Sequence, residues 1–363
     1  MELFEILRYF ILTLFLLTFT LFTLTVGYHL YLYWRERKIA KIRNILIPEL
    51  VKFIFEKNNR DKVLALINKN YEEALEIVKD YLKEITGESH RELCSLFLAS
   101  PKIKKLQKNL YSFFGQKRIM AAIYLAELGF HSVFNEFVLN YEKARSLEEK
   151  YFYLKGMVKL ALNQEQFNLI LAKIKTTPFS LADIAGILAN APEEMVPFVF
   201  LKLKEEKETK YKILYIEFLK SRNFPELAFW LCEEGVKDTD QEVLITVIKA
   251  LGSWGLPRAI PVLQQFLNHE NWVIRAQAAK SLGLLRINEA IPALAEKLQD
   301  ENWWVRYNAG NALLNFGTEG YKTLQEILET SPDRFAKDMA GYLRTKYLFL
   351  RGLKYGAFYL KNI

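Results

Sequence analysis

The distribution of apolar and polar residues divides the chain into two kinds of sequence. Residues 9–34 form an uninterrupted run without Asp, Glu, Lys or Arg, whereas the segments after residue 44 place apolar residues at intervals of three and four. The second pattern is typical of helices with one buried face, and the turns between these segments are short. We therefore predict an all-α protein, in which one long apolar helix precedes a series of amphipathic helices.

One phrase occurs twice between Pro257 and Gly317, and its second copy opens at Asn288. Identical residues recur one period apart in the pairs Ala259/Ala290, Ile260/Ile291, Pro261/Pro292, Asn271/Asn302, Trp272/Trp303, Arg275/Arg306 and Leu282/Leu313. Self-similarity at this period is the signature of a solenoid, in which helix pairs bury their apolar faces by stacking on their neighbours. Less strict copies extend back to residue 116, which predicts an α-α superhelix of several helix pairs.

The residues within one unit have distinct structural roles. Small residues allow a helix to lie close to its neighbour, as expected for Ala276, Ala278 and Ala279. Arg275 and Arg306 recur one turn into the second helix of each unit, which suits pairing with an acid of the adjacent unit. Caps are expected from Asp300 or Asn302 at the start of a helix and from Gly255 or Gly317 at its end.

The apolar run is long enough to cross a bilayer. At about 1.5 Å per residue, this run reaches roughly 39 Å as a helix, against a hydrocarbon core of about 30 Å. A cleaved signal peptide is the alternative, but bulky Tyr28–Trp34 stands where small residues would be needed. Basic residues follow the run, so the positive-inside bias predicts a single pass through the inner (cytoplasmic) membrane, with the N-terminus outside. We expect contact with the membrane surface from Arg35, Arg37, Lys38, Lys41 and Arg43.

Small residues form a stripe along one side of the apolar helix. Thr13, Thr20 and Gly27 recur at heptad spacing, with Thr23 beside them. Such stripes let transmembrane helices approach closely, which predicts a contact with a partner helix. The alternative is that each Thr hydroxyl bonds a carbonyl of its own helix and faces lipid.

These patterns define four regions, namely an N-terminal transmembrane anchor (1–34), a basic juxtamembrane helical region (35–115), the repeat solenoid (116–344) and a basic amphipathic C-terminal cap or tail (345–363). The last region contains no acid. As a cap, its apolar side would close the open end of the solenoid; as a surface helix, Arg351 and Lys354 would contact the membrane. The cap is the favoured alternative.

Composition narrows the range of functions. The net charge of +8 suits an anionic membrane face and does not require nucleic acid. The two cysteines and four histidines are scattered without metal-ligand spacing, and no phosphate-binding or nucleophile motif occurs. We therefore expect no enzyme activity, no metal, no cofactor, no small-molecule substrate and no nucleic acid, and look instead for a protein-binding surface.

Aromatic residues at the turns between units are the candidates for that surface. Trp272, Trp303 and Trp304 are expected to line up along one edge of the solenoid, beside Arg275 and Arg306. Aromatic and arginine residues dominate binding hot spots, so these five residues form the predicted partner-binding site. We expect two of the tryptophans to be packed between repeats and Trp304, which replaces Val273 of the preceding unit, to be exposed.

The sequence around DENWWVRYNA, followed by an apolar helix and AIPAL-type segments, resembles the short HEAT-like repeats first associated with bilin lyases. The layout of the chain is similar to that of bacterial membrane-anchored HEAT-repeat proteins. This resemblance implies a non-enzymatic scaffold whose cytoplasmic repeats bind a partner protein, such as a membrane glycosyltransferase or another envelope-assembly complex. The alternatives are a bilin-lyase-like enzyme and a basic HEAT-like protein that binds nucleic acid.

Overall fold

The computed structural model describes the backbone of residues 2–360 and, apart from a few positions in the first nine residues and Lys83, the side chains as far as Leu348. Every regular element in this part of the chain is helical, which confirms the predicted fold class. The α-helices are α1 (Glu2–Glu56), α2 (Arg60–Lys69), α3 (Tyr71–Val78), α4 (Tyr81–Glu84), α5 (Gly87–Ala99), α6 (Ile103–Lys108), α7 (Gly115–Glu127), α8 (Phe134–Lys143), α9 (Leu147–Leu160), α10 (Gln164–Thr176), α11 (Leu181–Leu188), α12 (Val196–Glu205), α13 (Thr209–Ser221), α14 (Pro225–Glu233), α15 (Gln241–Ser253), α16 (Ala259–Phe266), α17 (Trp272–Leu285), α18 (Ile291–Glu296), α19 (Trp303–Leu314), α20 (Thr318–Thr330) and α21 (Arg334–Leu360). They divide into two compact units, Met1–Phe179 and Ser180–Ile363.

Helix α1 combines the apolar run with the segment that follows it. The start of the predicted juxtamembrane region is continuous with the apolar helix as far as Glu56, and Pro48 lies inside this helix. From Phe10 to Trp34 nearly every described side chain is exposed, whereas Leu46, Leu50 and Phe53 are buried. The second half of α1 packs on α2, α3 and α5 of the first unit. One helix thus carries an unpartnered apolar half and a half that belongs to the folded core.

The second unit consists of two layers of helices. Helices α13, α15, α17, α19 and α21 contact one another in sequence, and α12, α14, α16, α18 and α20 pack beside them as the first helices of successive pairs. Close approach depends on small residues, since a Cβ added to Gly283 would lie 2.5 Å from the Cβ of Ala312. Ala276, Ala278 and Ala279 are buried in this layer, as the repeat pattern predicts.

The ends of the repeat helices follow the sequence signals. Asn302 caps α19, and Gly255 has a φ angle of 66°, as expected for a glycine in a left-handed turn at the end of a helix. Gly317 also has a positive φ, 65°, but its ψ of −123° is not that of the expected left-handed turn, and it is the residue that precedes α20. Helix α21 is continuous across the expected boundary at residue 344, and its first half, with the buried residues Ala336, Met339, Ala340 and Leu343, packs against α19 and α20. This first part of α21 belongs to the predicted solenoid, and the cap or tail expected at residues 345–363 stays a prediction. Arg351 and Lys354 lie outside the residues whose side chains are described.

Candidate functional site

The helices α15, α17, α19 and α21 each begin at a capping side chain, and these four capping residues are spaced one repeat period apart. Asp240, Asn271 and Asn302 accept hydrogen bonds from the backbone N–H groups of Glu242 (2.9 Å), Val273 (2.8 Å) and Trp304 (2.9 Å) respectively. Asp333 likewise accepts from the N–H of Ala336, at 2.7 Å. These caps satisfy backbone donors that a helix leaves unpaired. Because the caps share one register, residues one period apart occupy equivalent positions in successive repeats.

Arg275 connects two repeats from a buried position. Its guanidinium donates to both carboxylate oxygens of Asp300, at 2.8 and 2.9 Å, and to the carboxylate of Glu301, at 3.2 Å. It also donates to the carbonyls of His269 and Glu270. The bonds to the acids, led by the one to Asp300, raise the pKa of Arg275. The expected pairing with an acid of the adjacent unit is confirmed here, and it leaves Arg275 inside the array.

Arg306 occupies the equivalent position in the next repeat but has different partners. It donates to the carbonyls of Asp300 (2.7 Å) and Glu301 (3.0 Å), and its guanidinium carbon lies 4.7 Å from the centre of the Phe335 ring. Ser331 stands where the periodic acid would be, one period after Asp300. The expected acid pairing is therefore wrong for Arg306, whose buried Nε has no acceptor among the described residues. Both arginines are buried, so neither presents the exposed side chain expected of it, although Arg306 lines one of the cavities described below.

The tryptophans are more exposed than expected. Trp272, Trp303 and Trp304 have 41%, 46% and 53% of their surface accessible. The expectation that two of them are wedged between repeats is wrong, and the expected exposure of Trp304 is confirmed. They lie in the first turns of α17 and α19, in which Ile274 and Val305 are the buried apolar residues.

Five aromatic residues at the end of the second unit form one cluster, which we call the aromatic surface; its members are Trp303, Trp304, Tyr307, Phe335 and Tyr342. The Trp303 ring lies edge-on to Trp304 with centroids 4.8 Å apart and stacks on Tyr307 at 4.9 Å. Tyr342 of α21 lies 6.4 Å from Tyr307. Such contacts hold the exposed rings in one arrangement, which lowers the entropy that binding would cost.

Two cavities flank the aromatic surface. One of about 490 Å³ is lined by residues that include Lys280, Leu284, Tyr307 and Lys346. The other, of about 320 Å³, lies between Trp303, Arg306, Phe335 and Tyr342. Lys346 donates to Asn311 at 2.9 Å and to the Tyr307 hydroxyl at 3.2 Å, so its charge is held at the cavity wall. An apolar side chain of a ligand would fit the apolar cavity walls, and a carboxylate beside that side chain would lie near Lys280 and Lys346.

Sequence reasoning missed Tyr307, Phe335, Tyr342, Lys280 and Lys346 as members of this site. A signal was present for Tyr307, which replaces Ala276 of the preceding unit just as Trp304 replaces Val273. Val273 and Ala276 of one unit are thus both replaced by aromatic residues in the next unit, within a single helical turn. A signal was also present for Phe335, which lies one period after Trp304 and keeps an aromatic residue there. Tyr342 lies one period after Asn311, so the repeat gave no aromatic residue to compare with it.

The basic residues after the apolar run are divided between ion pairs and solvent. Arg35 pairs with Glu76 and Lys38 pairs with Glu73, both acids of α3. Arg37 lies 4.7 Å from the centre of the Tyr33 ring, and Lys41 and Arg43 are exposed. Neutralised cations attract lipid less than free ones, so Arg37, Lys41 and Arg43 are the better candidates for the membrane surface.

The threonine stripe lies on the exposed half of α1. The hydroxyls of Thr13, Thr20 and Thr23 donate to backbone carbonyls of their own helix, at 2.8 to 2.9 Å. Nothing lies within 4 Å of a Cβ added to Gly27. The hydroxyls are therefore satisfied without a partner, while the groove at Gly27 is open to another helix; the predicted helix contact stays a prediction.

Neither thiol is activated; Cys94 is buried and Cys232 is partly buried. Burial raises the pKa of Cys94 to about 11, although His90 lies 3.7 Å from its sulfur, and burial likewise raises the pKa of Cys232. Cys94 is therefore protonated at neutral pH. Within the described part of the chain, no group of three or more His, Cys, Asp or Glu side chains has the geometry to hold a metal ion.

Comparison with known proteins places the repeats in a recognisable class. The family described as HEAT repeats matches residues 197–282, 230–296 and 263–343, so this region is an array of HEAT-like repeats. A crystal structure of an engineered protein is similar to the chain at 19% identity, covering 78% of this chain and 87% of that one, with a TM-score of 0.31. No curated protein matches the sequence significantly.

One helix of the described chain is long and apolar enough to cross a membrane. It is the segment Phe10–Glu56 of α1, whose apolar window is not buried by the rest of the protein. Helices α11 and α12 pass the same test of composition only if taken together, with a bend of 116° between them. Their apolar residues, among them Ile187 and Val199, are buried in the second unit, as expected for a helix pair of the array.

Proposed function

We propose that this protein is a membrane-tethered scaffold whose HEAT-like repeats bind a partner protein. The observation that carries the tether is the exposure of the apolar half of α1, from Phe10 to Trp34. Leaving so large a continuous apolar surface in water is unfavourable, and lipid removes that cost. The bases that follow Trp34 favour an orientation in which the repeats lie on the cytoplasmic side.

The aromatic surface is the proposed point of contact with the partner. HEAT-like arrays present extended surfaces to other proteins, and here the exposed rings coincide with two cavities and with the cations Lys280 and Lys346. Large rigid rings contribute much contact area for little lost entropy. The matching segment of a partner would present an apolar or aromatic side chain into the larger cavity and a carboxylate toward the lysines.

Tethering would concentrate the array near partners that are themselves in the membrane. Confinement to the same bilayer raises the effective concentration of a partner without any new contact. The resemblance to membrane-anchored HEAT-repeat proteins points to a membrane glycosyltransferase or another envelope-assembly complex as the class to look for.

Substitution of Trp304 tests the proposed contact. Trp304→Ala should lower partner affinity by roughly tenfold or more, because a central aromatic anchor contributes about 2 kcal/mol or more. The matched control is Phe229→Ala, since Phe229 is an equally exposed ring (51%) on α14, away from the cavities. The intact protein and both variants would be purified in mild detergent from their native cells, and bound proteins compared by quantitative mass spectrometry.

A partner retained by the intact protein and by Phe229→Ala, but lost from Trp304→Ala, supports the proposal. Equal retention by all three proteins rejects the aromatic surface as the contact. Melting curves of the two variants exclude unfolding as the cause of a loss.

A further inference from the structure

Two adjacent phenylalanines project from the loop between α6 and α7. Phe113 has 92% of its surface exposed and Phe114 has 62%, and their rings lie edge-on with centroids 5.6 Å apart. Tyr111, in the same loop, is also exposed. Single exposed apolar residues are ordinary, but a contiguous aromatic tip of this kind indicates a surface that is covered in use.

The loop is held in shape by Arg118. One guanidinium nitrogen donates to the carbonyls of Ser112 and Phe113, at 2.7 and 2.9 Å, and the other pairs with the buried carboxylate of Glu149. The N–H of Phe114 donates to the Ser112 hydroxyl at 3.3 Å. The exposure of the two rings is therefore part of the folded conformation rather than a frayed end.

The segment that contains this loop is basic throughout. Between Glu92 and Glu127 there is no Asp or Glu, while the cations are Lys102, Lys104, Lys105, Lys108, Lys117 and Arg118. The acids of neighbouring elements that bond this segment or line a cavity with it all have partners. Glu72 pairs with Lys105, Glu149 pairs with Arg118, and Glu136 accepts from Gln107. Glu73 and Glu76 line cavities with the segment but pair with Lys38 and Arg35 of α1. Among the described residues, Lys102, Lys104 and Lys108 make no ion pair. Their positive charge is thus uncompensated.

The loop lies next to the end of the apolar run. A single cavity of about 730 Å³ is lined by Tyr31 and Trp34 of α1 and by residues that flank the loop, including Asn109 and Lys117. Tyr and Trp at the end of a membrane helix lie at the level of the lipid headgroups. Asn109 and Lys117 line the same cavity as Trp34, so the loop between them lies close to the level of the lipid headgroups.

We propose that the loop Tyr111–Phe114 is a second membrane contact, which places Phe113 and Phe114 in the interfacial layer of a leaflet that contains anionic lipid. Lys102, Lys104 and Lys108 would attract the anionic headgroups. This combination of aromatic tip and uncompensated lysines matches how peripheral segments bind membranes. The inference rests on the proposed function, because it requires α1 to span the bilayer. Two contacts would fix the orientation of the first unit against the membrane, where one helix would leave it free to turn.

Spin labels at three positions of the full-length chain in lipid vesicles test this inference. Buried Cys94 should not react, and Cys232→Ser removes the other thiol, so single cysteines can be placed by Leu17→Cys, Phe113→Cys or Leu162→Cys. Leu162 is the control, because it is also an exposed apolar residue (61%, against 92% for Phe113). It follows Lys159, which pairs with Glu127 at the far end of α7, roughly 20 Å from the loop.

Collision with oxygen and with a water-soluble nickel chelate reports whether each label is in lipid or in water. In vesicles of phosphatidylcholine and phosphatidylglycerol, we expect labels at 17 and 113 to be shielded from nickel several-fold relative to the label at 162. The shielding at 113, and not at 17, should decrease in pure phosphatidylcholine and in the variant Lys102→Gln/Lys104→Gln/Lys108→Gln.

The outcomes separate this inference from the proposed function. A shielded label at 17 with an aqueous label at 113 overturns the loop contact and leaves the tether intact. An aqueous label at 17 overturns the tether itself. A label at 113 that becomes shielded only when another protein is added, or that ignores both lipid charge and the lysines, also overturns the proposed contact.

Discussion

The apolar half of α1 and the stack formed by α15, α17 and α19 contain similar residues, but those residues are packed in the stack and exposed in α1. In the stack, Gly283 touches a neighbouring helix and Arg275 is buried among its hydrogen-bond partners. In α1, nothing approaches Gly27, and Arg37 lies at the surface over Tyr33. The stack is complete within the described chain, whereas the apolar half of α1 lacks the surroundings that its composition requires.

This difference shows that the same sequence signal has to be interpreted with its neighbours. Where another helix of the chain packs on a glycine, an arginine or a leucine, that residue stabilises the fold. Where no part of the chain packs on it, the residue indicates a contact with lipid or with a partner protein. Substituting matched residues in the two regions therefore tests whether each region has the role assigned to it.

The largest expected effect is that of Arg275→Ala. Removing the guanidinium leaves the buried Asp300 carboxylate without its partner, which should lower the free energy of unfolding of the repeats by about 3–5 kcal/mol. Arg37→Ala is the control and should change stability by less than about 0.5 kcal/mol, since Arg37 is exposed. Urea unfolding followed by circular dichroism measures both; similar losses for the two variants would contradict the assignment of Arg275 as an inter-repeat clamp.

A charge in the apolar half of α1 should prevent its insertion. Leu17→Arg places a guanidinium near the middle of the run, at a cost of about 2.5–3.5 kcal/mol for a bilayer-spanning helix. The control is Leu284→Arg, which charges a similarly exposed leucine (Leu17 57%, Leu284 52%) in the stack. Membrane fractionation should show a reduced membrane-bound fraction for Leu17→Arg only. An unchanged fraction for Leu17→Arg would argue against a spanning helix.

The two glycines should respond differently to a methyl group. Gly283→Ala would bring the new Cβ to 2.6 Å from the Cα of Ala312, a backbone atom that cannot turn aside. The resulting overpacking should cost about 1–3 kcal/mol. Gly27→Ala meets nothing and should leave the thermal midpoint of the repeats unchanged. If Gly283→Ala were as stable as the unmodified protein, the close packing of α17 on α19 would be wrong.

The smallest effect concerns acid stability. A hydrogen bond from Thr209 (2.5 Å), with lesser help from the N–H groups of Glu242 and Val243, lowers the pKa of Asp240 from its usual 3.8 in spite of some desolvation. A lowered folded-state pKa means that the ionised form contributes stability above pH 3.8 and that this stability is lost as the pH falls below it. Asp240→Asn, which keeps a cap of the kind found at Asn271, should therefore flatten the decline in melting temperature below about pH 4. An identical decline in both proteins would contradict this role.

The local features of the fold were predictable from the sequence. The helix pairs, the cap by Asn302, the positive φ of Gly255 and the pairing of Arg275 with an acid all follow from the repeat period and from short-range chemistry. Each depends on residues within one or two turns, or on the strict copy in the next unit.

The remaining features depend on contacts between distant residues, which the repeat period does not predict. Arg35 and Lys38 reach Glu76 and Glu73, which lie 41 and 35 residues further along the chain. Arg306 loses its acid because the last unit has Ser331 in that place, and Phe335 replaces the missing contact. The exposure of Trp272 and Trp303 depends on the direction in which the first turn of each helix projects, which residue type alone does not determine.

Alkaline extraction of membranes from cells that express the intact chain tests the central claim most directly. A spanning α1 predicts that the repeats stay with the membrane pellet after carbonate treatment, and that intact-mass analysis finds residues 1–34 still attached. Recovery of the repeats in the soluble fraction, with or without the loss of residues 1–34, would contradict a membrane-tethered scaffold.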